Sequence, residues 1–150
     1  MSAHLPEILL AEDNPNDVEL TLEALSVHNL ANNVTVARDG VEALDFLRRQ
    51  GSFADREPGN PAVVLLDIKM PRKDGIEVLR EIRSDPMLRL LPVVILTSSR
   101  EDQDILASYN LGVNAYVVKP VDFDSFMTAV ESLGVFWALI NERPPSPGRP

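Results

Sequence analysis

Short apolar runs alternate with helix-like segments along most of the chain. The runs are rich in Val, Ile and Leu, are bounded by turn residues, and cover residues 8–11, 34–37, 62–66, 92–96 and 113–118. A continuous apolar run of this length is typical of a strand buried on both faces, in a parallel sheet covered by helices. The pattern therefore predicts an α/β domain of five strand-helix units with right-handed crossovers.

The segments between these runs carry apolar residues at helical spacing. Helices are predicted over residues 15–30, 41–47, 75–83 and 101–110, with a last one after Asp122. Asp122 is the expected N-cap of that last helix, and its inner face should carry Phe123, Phe126, Val130 and Leu133. Gly51 is expected to end the second helix, and a polar loop over 52–61 follows it, longer than most such connections.

Length and composition limit what the chain can be. It has 150 residues, which predicts one domain over residues 1–142, and a Pro-rich tail over 143–150 that should be disordered. There is no cysteine, which excludes disulfides and thiolate metal sites, and no apolar run reaches the ~18 residues needed to span a bilayer. A formal charge of −9 disfavours nucleic-acid binding. We therefore expect a cytoplasmic protein without membrane or nucleic-acid contacts.

Polar side chains follow the predicted strands where each one ends. They are Glu12 and Asp13 after the first, Asp67 after the third, Thr97 after the fourth and Lys119 after the fifth. If the first and third strands are adjacent in a doubly wound sheet, these groups converge at one edge, where α/β proteins bind ligands. Clustered carboxylates repel each other by ~4 kcal/mol per close pair and so need a cation; oxygen ligands favour Mg²⁺.

The same convergence indicates a chemistry. A metal ion, an ammonium group from Lys119 and a hydroxyl group from Thr97, placed around the Asp67 carboxylate, would hold a phosphoryl group attached to that carboxylate. Taken singly, each residue has an ordinary structural explanation. Asp67 could cap the next turn, Thr97 could cap a helix, and Lys119 could be a surface charge.

The combination of motifs resembles the receiver domain of two-component response regulators. The matching motifs are Glu12-Asp13, residues 66–71 with Asp74-Gly75, residues 96–98, and residues 116–120, within a match over about 8–139. The resemblance implies a five-stranded parallel sheet in the order 2-1-3-4-5, with helices on both faces. It also implies a phosphoprotein that is phosphorylated by a sensor histidine kinase and signals by contact with an unknown downstream protein.

The resemblance also assigns roles. It implies that Asp67 is the phosphoacceptor, that Mg²⁺ is held by Glu12, Asp13, Asp67 and the backbone carbonyl of Lys69, and that Thr97 and Lys119 contact the phosphoryl group. Tyr116 would turn inward as Thr97 shifts, and the Lys119-Pro120 bond should be cis. Such a protein catalyses its own phosphorylation and dephosphorylation but is not a turnover enzyme.

Two features depart from the usual family pattern. Lys69 lies two residues after Asp67, where many relatives carry Asn, and we hypothesise that it tunes the lifetime of the phosphate. The chain end over 134–140 is apolar all round, which predicts a homodimer patch made by Val135, Phe136, Trp137 and Ile140; a tail folded onto its own domain is the alternative. With the loop over 52–61, this end resembles the stand-alone regulators paired with phytochromes.

Other functions fit the sequence less well. A haloacid-dehalogenase-type phosphatase needs a second Asp where Lys69 stands, and a flavodoxin-like redox carrier needs a Gly-rich phosphate loop where Glu12 and Asp13 stand. A receiver-like binding module that is never phosphorylated remains the main alternative. The presence of every acceptor, metal, hydroxyl and lysine position disfavours it.

Overall fold

Five parallel strands form one sheet in the order β2-β1-β3-β4-β5 in a computed structural model, which describes residues 7–27, 29–98 and 115–133. The strands are β1 Ile8–Ala11, β2 Val34–Ala37, β3 Val63–Asp67, β4 Val93–Thr97 and β5 Tyr116–Val118. Every residue of β1, β3 and β4 is buried, as expected for central strands. The predicted fold class and strand order are confirmed.

Four helices are described: α1 Pro15–Ser26, α2 Gly40–Arg48, α3 Gly75–Ser84 and α4 Phe123–Ser132. Each begins at a polar N-cap whose side chain accepts hydrogen bonds from backbone N–H groups of the first turn; the caps are Asn14, Asp39, Asp74 and Asp122. The predicted cap at Asp122 is confirmed. The predicted helix over 101–110 lies outside the described residues, as does the tail over 143–150.

Apart from one-residue shifts, two helix ends and one strand start differ from the predictions. α1 ends at Ser26 rather than residue 30, because Asn29 adopts a left-handed conformation (φ 60°) and the N–H of Leu30 donates to the Leu25 carbonyl (3.0 Å). α2 ends through left-handed Arg49 (φ 56°) rather than at Gly51. β5 begins at Tyr116, since Ala115 is not part of the strand and residues 113–114 are not described.

The sheet separates two hydrophobic layers. Alternate residues of β1, β3 and β4 face α2 and α3 on one side and α1 and α4 on the other. Phe126 and Val130 of α4 are fully buried in the second layer, with Phe123 and Leu133 partly buried beside them, much as the apolar spacing predicts. The described helices therefore cover both faces of the sheet.

The loop after α2 is built around Arg56. It starts with a 3-10 turn at Gly51–Phe53, and the Arg56 guanidinium group donates to the carbonyls of Phe46 (2.9 Å) and Gly59 (3.0 Å). The same group lies over the Phe46 ring, 4.2 Å from its centroid. The long loop is therefore ordered by one side chain that spans it.

Candidate functional site

Three carboxylates meet at the carboxyl edge of the sheet. β1 delivers Glu12 and Asp13 just beyond its last residue, and β3 ends at Asp67. One oxygen atom from each of these side chains lies within 4.8 Å of the other two. Glu12 and Asp67 are buried while Asp13 is exposed, so a cation held here would have protein oxygens on one side and water on the other. This donor set fits a hard divalent cation such as Mg²⁺.

Burial makes the Glu12 and Asp67 carboxylates hard to ionise. Desolvation, followed by the charge of Asp67, raises the pKa of Glu12 to about 7. Desolvation also raises the pKa of Asp67, although Lys119 acts in the opposite direction. The site is therefore short of positive charge when no metal is bound, which is the physical condition for binding a divalent cation.

Lys119 reaches the carboxylates from the end of β5. The Lys119-Pro120 bond is cis, as expected, and the backbone N–H of Lys119 donates to the Thr97 carbonyl (2.8 Å). Its ammonium nitrogen lies 3.0 Å from Glu12 Oε1 and 3.3 Å from Asp67 Oδ1. Burial acts to lower the pKa of Lys119, but hydrogen bonds to Asp17 and Glu12 outweigh it and hold the pKa above its usual value. Lys119 is therefore a permanent positive charge within the site.

Asp17 is the site residue that the sequence reasoning missed. Its Oδ2 lies 2.9 Å from the Lys119 ammonium nitrogen. The Asn14 cap starts α1 at Pro15, which places position 17 in the first turn, at the same edge of the sheet as Glu12. The sequence does show a helix cap directly after the acidic pair that ends the first strand, which places the first turn of α1 near the site. It does not show which side chain of that turn faces Lys119, because this depends on how α1 packs on the sheet.

Thr97 occupies the end of β4 next to Asp67. Asp67 pairs with Leu96 in the parallel ladder, so Thr97 lies one residue further along the neighbouring strand. The residue is buried, with 1% of its surface exposed. The structure thus brings the predicted hydroxyl residue to the same edge as the carboxylates and Lys119.

Tyr116 lies at the start of β5, further from the carboxylates than Lys119. It pairs with Ile95 of β4 and is half-buried against the hydrophobic layer that contains α2 and α3. Burial raises the pKa of its phenol. On its other side Tyr116 lines an open pocket against α4, beside Ser125 and Thr128. It therefore lies between the interior and a surface groove.

The turn between β3 and α3 packs tightly behind Asp67. The N–H of Gly75 donates to the Ile68 carbonyl (2.7 Å), and a Cβ at position 75 would lie 2.3 Å from the backbone oxygen of Asp67. Lys69 is exposed in this turn and, with Asp13, lines an open pocket beside the carboxylates. Arg72 joins the turn to α2 through both carboxylate oxygens of Asp39 (2.9 and 3.1 Å).

The remaining predicted site residues lie outside the described part of the chain. These are the dimer-patch residues Val135, Phe136, Trp137 and Ile140. Among the described residues, no helix is long and apolar enough to cross a membrane.

Comparison with known proteins points to one family. Residues 8–131 match the response regulator receiver domain. The response regulator Rcp1 of Synechocystis sp. is 39% identical over 130 residues, which cover 87% of each chain. The crystal structure of its Mn²⁺-bound form, 35% identical in the structural alignment, has a TM-score of 0.68 and covers 93% of this chain and all of that one.

Two further solved structures are similar. The bacteriophytochrome response regulator AtBRR is 60% identical with a TM-score of 0.87, and the alignment covers 93% of this chain and all of that one. The phosphorylated cyanobacterial phytochrome response regulator RcpA is 40% identical with a TM-score of 0.72, over 95% of this chain and all of that one. The resemblance to phytochrome-associated regulators, drawn from the sequence, is therefore confirmed.

Proposed function

The chain belongs to the response regulator receiver family, and from that membership we propose that it is a stand-alone cytoplasmic regulator that is phosphorylated on Asp67 by a sensor histidine kinase. The observation that carries the proposal is the meeting of the Glu12, Asp13 and Asp67 carboxylates within 4.8 Å, with the Lys119 ammonium 3.3 Å from Asp67. A binding module that is never phosphorylated has no need of such a charge arrangement.

The proposed transfer needs little beyond positioning and charge. An Asp67 oxygen attacks the phosphorus of a phosphohistidine in line, forming an O–P bond. The P–N bond breaks, its electron pair goes to the imidazole nitrogen, and that nitrogen takes a proton from water. A divalent cation held by Glu12, Asp13, Asp67 and the Lys69 carbonyl would neutralise charge between the carboxylate and the phosphoryl group.

Lys119 and Thr97 are proposed to recognise the product. Lys119 would pair with one phosphoryl oxygen and Thr97 would donate its hydroxyl hydrogen to another. Thr97 is buried at the end of β4, so its movement would change the packing next to Tyr116 on β5. Tyr116 is half-buried already, and a shift inward would alter the groove between β5 and α4. That surface would carry the signal by protein contact.

The partners are proposed from the relatives. AtBRR and RcpA are described as phytochrome response regulators, so a bacteriophytochrome histidine kinase is the proposed phosphoryl donor. A homodimer made through Val135, Phe136, Trp137 and Ile140 is proposed from their apolar sequence. We propose no turnover activity. The position of Lys69, exposed beside the site, disfavours a haloacid-dehalogenase-type phosphatase, which needs an acid there.

Beryllofluoride binding in the presence of Mg²⁺ tests the proposal. Isothermal titration calorimetry should show binding to the wild-type protein, and the isosteric Asp67→Asn variant should lose it because an amide cannot form the carboxylate–beryllium bond. Asp55→Asn is the matched control, since Asp55 is exposed in the loop after α2. Phosphotransfer from a phosphorylated bacteriophytochrome kinase should likewise occur with the wild-type protein and with Asp55→Asn, but not with Asp67→Asn. Binding by Asp67→Asn at wild-type strength would exclude Asp67 as acceptor.

A further inference from the structure

The ammonium group of Lys119 is shared among three carboxylates. Its nitrogen lies 2.9 Å from Asp17, 3.0 Å from Glu12 and 3.3 Å from Asp67. An ammonium group has three N–H donors, so each of these carboxylates can take one. The longest of the three separations is to Asp67, the proposed phosphoacceptor. The Lys119 ammonium group therefore lies closer to Asp17 and Glu12 than to Asp67.

The two competing carboxylates differ in surroundings. The Glu12 side chain is fully buried, whereas 28% of the Asp17 side chain is exposed. Glu12 belongs to the proposed cation site, but Asp17 is not among the three carboxylates that meet there. Asp17 is held instead by the first turn of α1, whose Asn14 cap accepts from the Asp17 N–H (3.1 Å). Asp17 therefore lies outside the proposed cation site and contacts that site through Lys119.

We propose that Asp17 is a positioning residue that draws the Lys119 ammonium toward α1 and so weakens the hold of the site on a phosphoryl group at Asp67. This inference rests on the proposed function. A phosphoryl group needs a donor from Lys119, and the negative charge of Asp17 competes for that ammonium while also repelling the phosphoryl oxygens. Asp17 thereby biases the site toward its unphosphorylated state.

The Asp17→Asn variant separates this role from a structural one. At saturating Mg²⁺ it should bind beryllofluoride about three- to tenfold more tightly, since the variant loses one partly exposed negative charge that lies 2.9 Å from the Lys119 ammonium nitrogen. Without beryllofluoride it should bind Mg²⁺ about two- to fivefold more weakly, because the released ammonium moves toward the Glu12 and Asp67 carboxylates. Loss of folding would weaken the binding of both ligands, so opposite shifts in the two affinities exclude it.

Two control variants complete the experiment. Asp17→Glu keeps the charge and should stay within about twofold of wild type for both ligands. Glu19→Gln removes one charge from the exposed face of the same helix and should change neither affinity. Calorimetric titration of the full chain measures all four proteins, and their thermal midpoints establish that each is folded.

The outcomes distinguish this inference from the proposed function. If wild-type protein does not bind beryllofluoride with Mg²⁺, the proposed function fails and the role of Asp17 fails with it. If wild type binds but Asp17→Asn binds beryllofluoride equally or more weakly, only the role of Asp17 is overturned. If Glu19→Gln also bound beryllofluoride more tightly than wild type, the role of Asp17 would be overturned too, because the gain in affinity would reflect net charge rather than contact with Lys119.

Discussion

Replacing Glu12 with Gln should change how the stability of the metal-free protein depends on pH. Glu12 is fully buried, and its carboxylate accepts from the Lys119 ammonium (3.0 Å) and the Asn14 N–H (3.2 Å). Burial and the charge of Asp67 nevertheless raise its pKa from 4.5 to about 7. Ionising the Glu12 carboxyl group therefore costs more free energy in the folded protein than in the unfolded chain.

The sign and size follow from proton linkage. A raised pKa in the folded state adds stability below the unfolded value of 4.5, and that stability is lost as the pH rises through about 7. Between pH 5 and pH 8 the wild-type protein should lose about 2 to 2.5 kcal/mol of unfolding free energy through this residue alone. Glutamine does not titrate, so Glu12→Gln should lack this loss.

Urea unfolding in excess chelator measures the effect. The unfolding free energy of Glu12→Gln minus that of wild type should be about 2 kcal/mol more positive at pH 8 than at pH 5. Glu23→Gln, at an exposed position of α1, is the control and should show no such difference. Adding Mg²⁺ at pH 8 should stabilise wild type more than Glu12→Gln. If the difference in unfolding free energy between Glu12→Gln and wild type is the same at pH 5 and pH 8, the raised pKa assigned to Glu12 is refuted.

Three further changes probe the surroundings of the site. Gly75→Ala should abolish beryllofluoride binding measured by calorimetry, because its Cβ would lie 2.3 Å from the Asp67 carbonyl oxygen; wild-type affinity would contradict this. Arg56→Ala should cost about 2 to 3 kcal/mol in urea unfolding, through lost hydrogen bonds and contact with Phe46, and a loss below 0.5 kcal/mol would contradict it. Lys69→Asn should change the decay rate of the phosphorylated protein, followed with ³²P-labelled acetyl phosphate; an unchanged rate would remove the role of Lys69 in phosphate lifetime.

The sequence by itself was sufficient for the fold class and for most of the site. Buried strands such as β3 need apolar side chains on both faces, so their composition marks them without knowledge of their neighbours. Parallel strands also bring their carboxyl ends to one edge, so residues such as Glu12, Asp67 and Lys119 could be expected to meet. The comparisons then place the chain in the family that these motifs resemble.

Tertiary structure decided what depends on the docking of one element against another. The contact of Asp17 with Lys119 requires a particular rotation of α1 over the sheet. The hydrogen bonds by which Arg56 orders its loop likewise require that its guanidinium group pack on the Phe46 ring. The ends of α1 and α2 were likewise set by left-handed Asn29 and Arg49, and at the end of α2 local propensity would favour the nearby Gly51 over Arg49 for that conformation. Local patterns encode which elements form, whereas the partners of a charged side chain depend on how those elements pack in three dimensions.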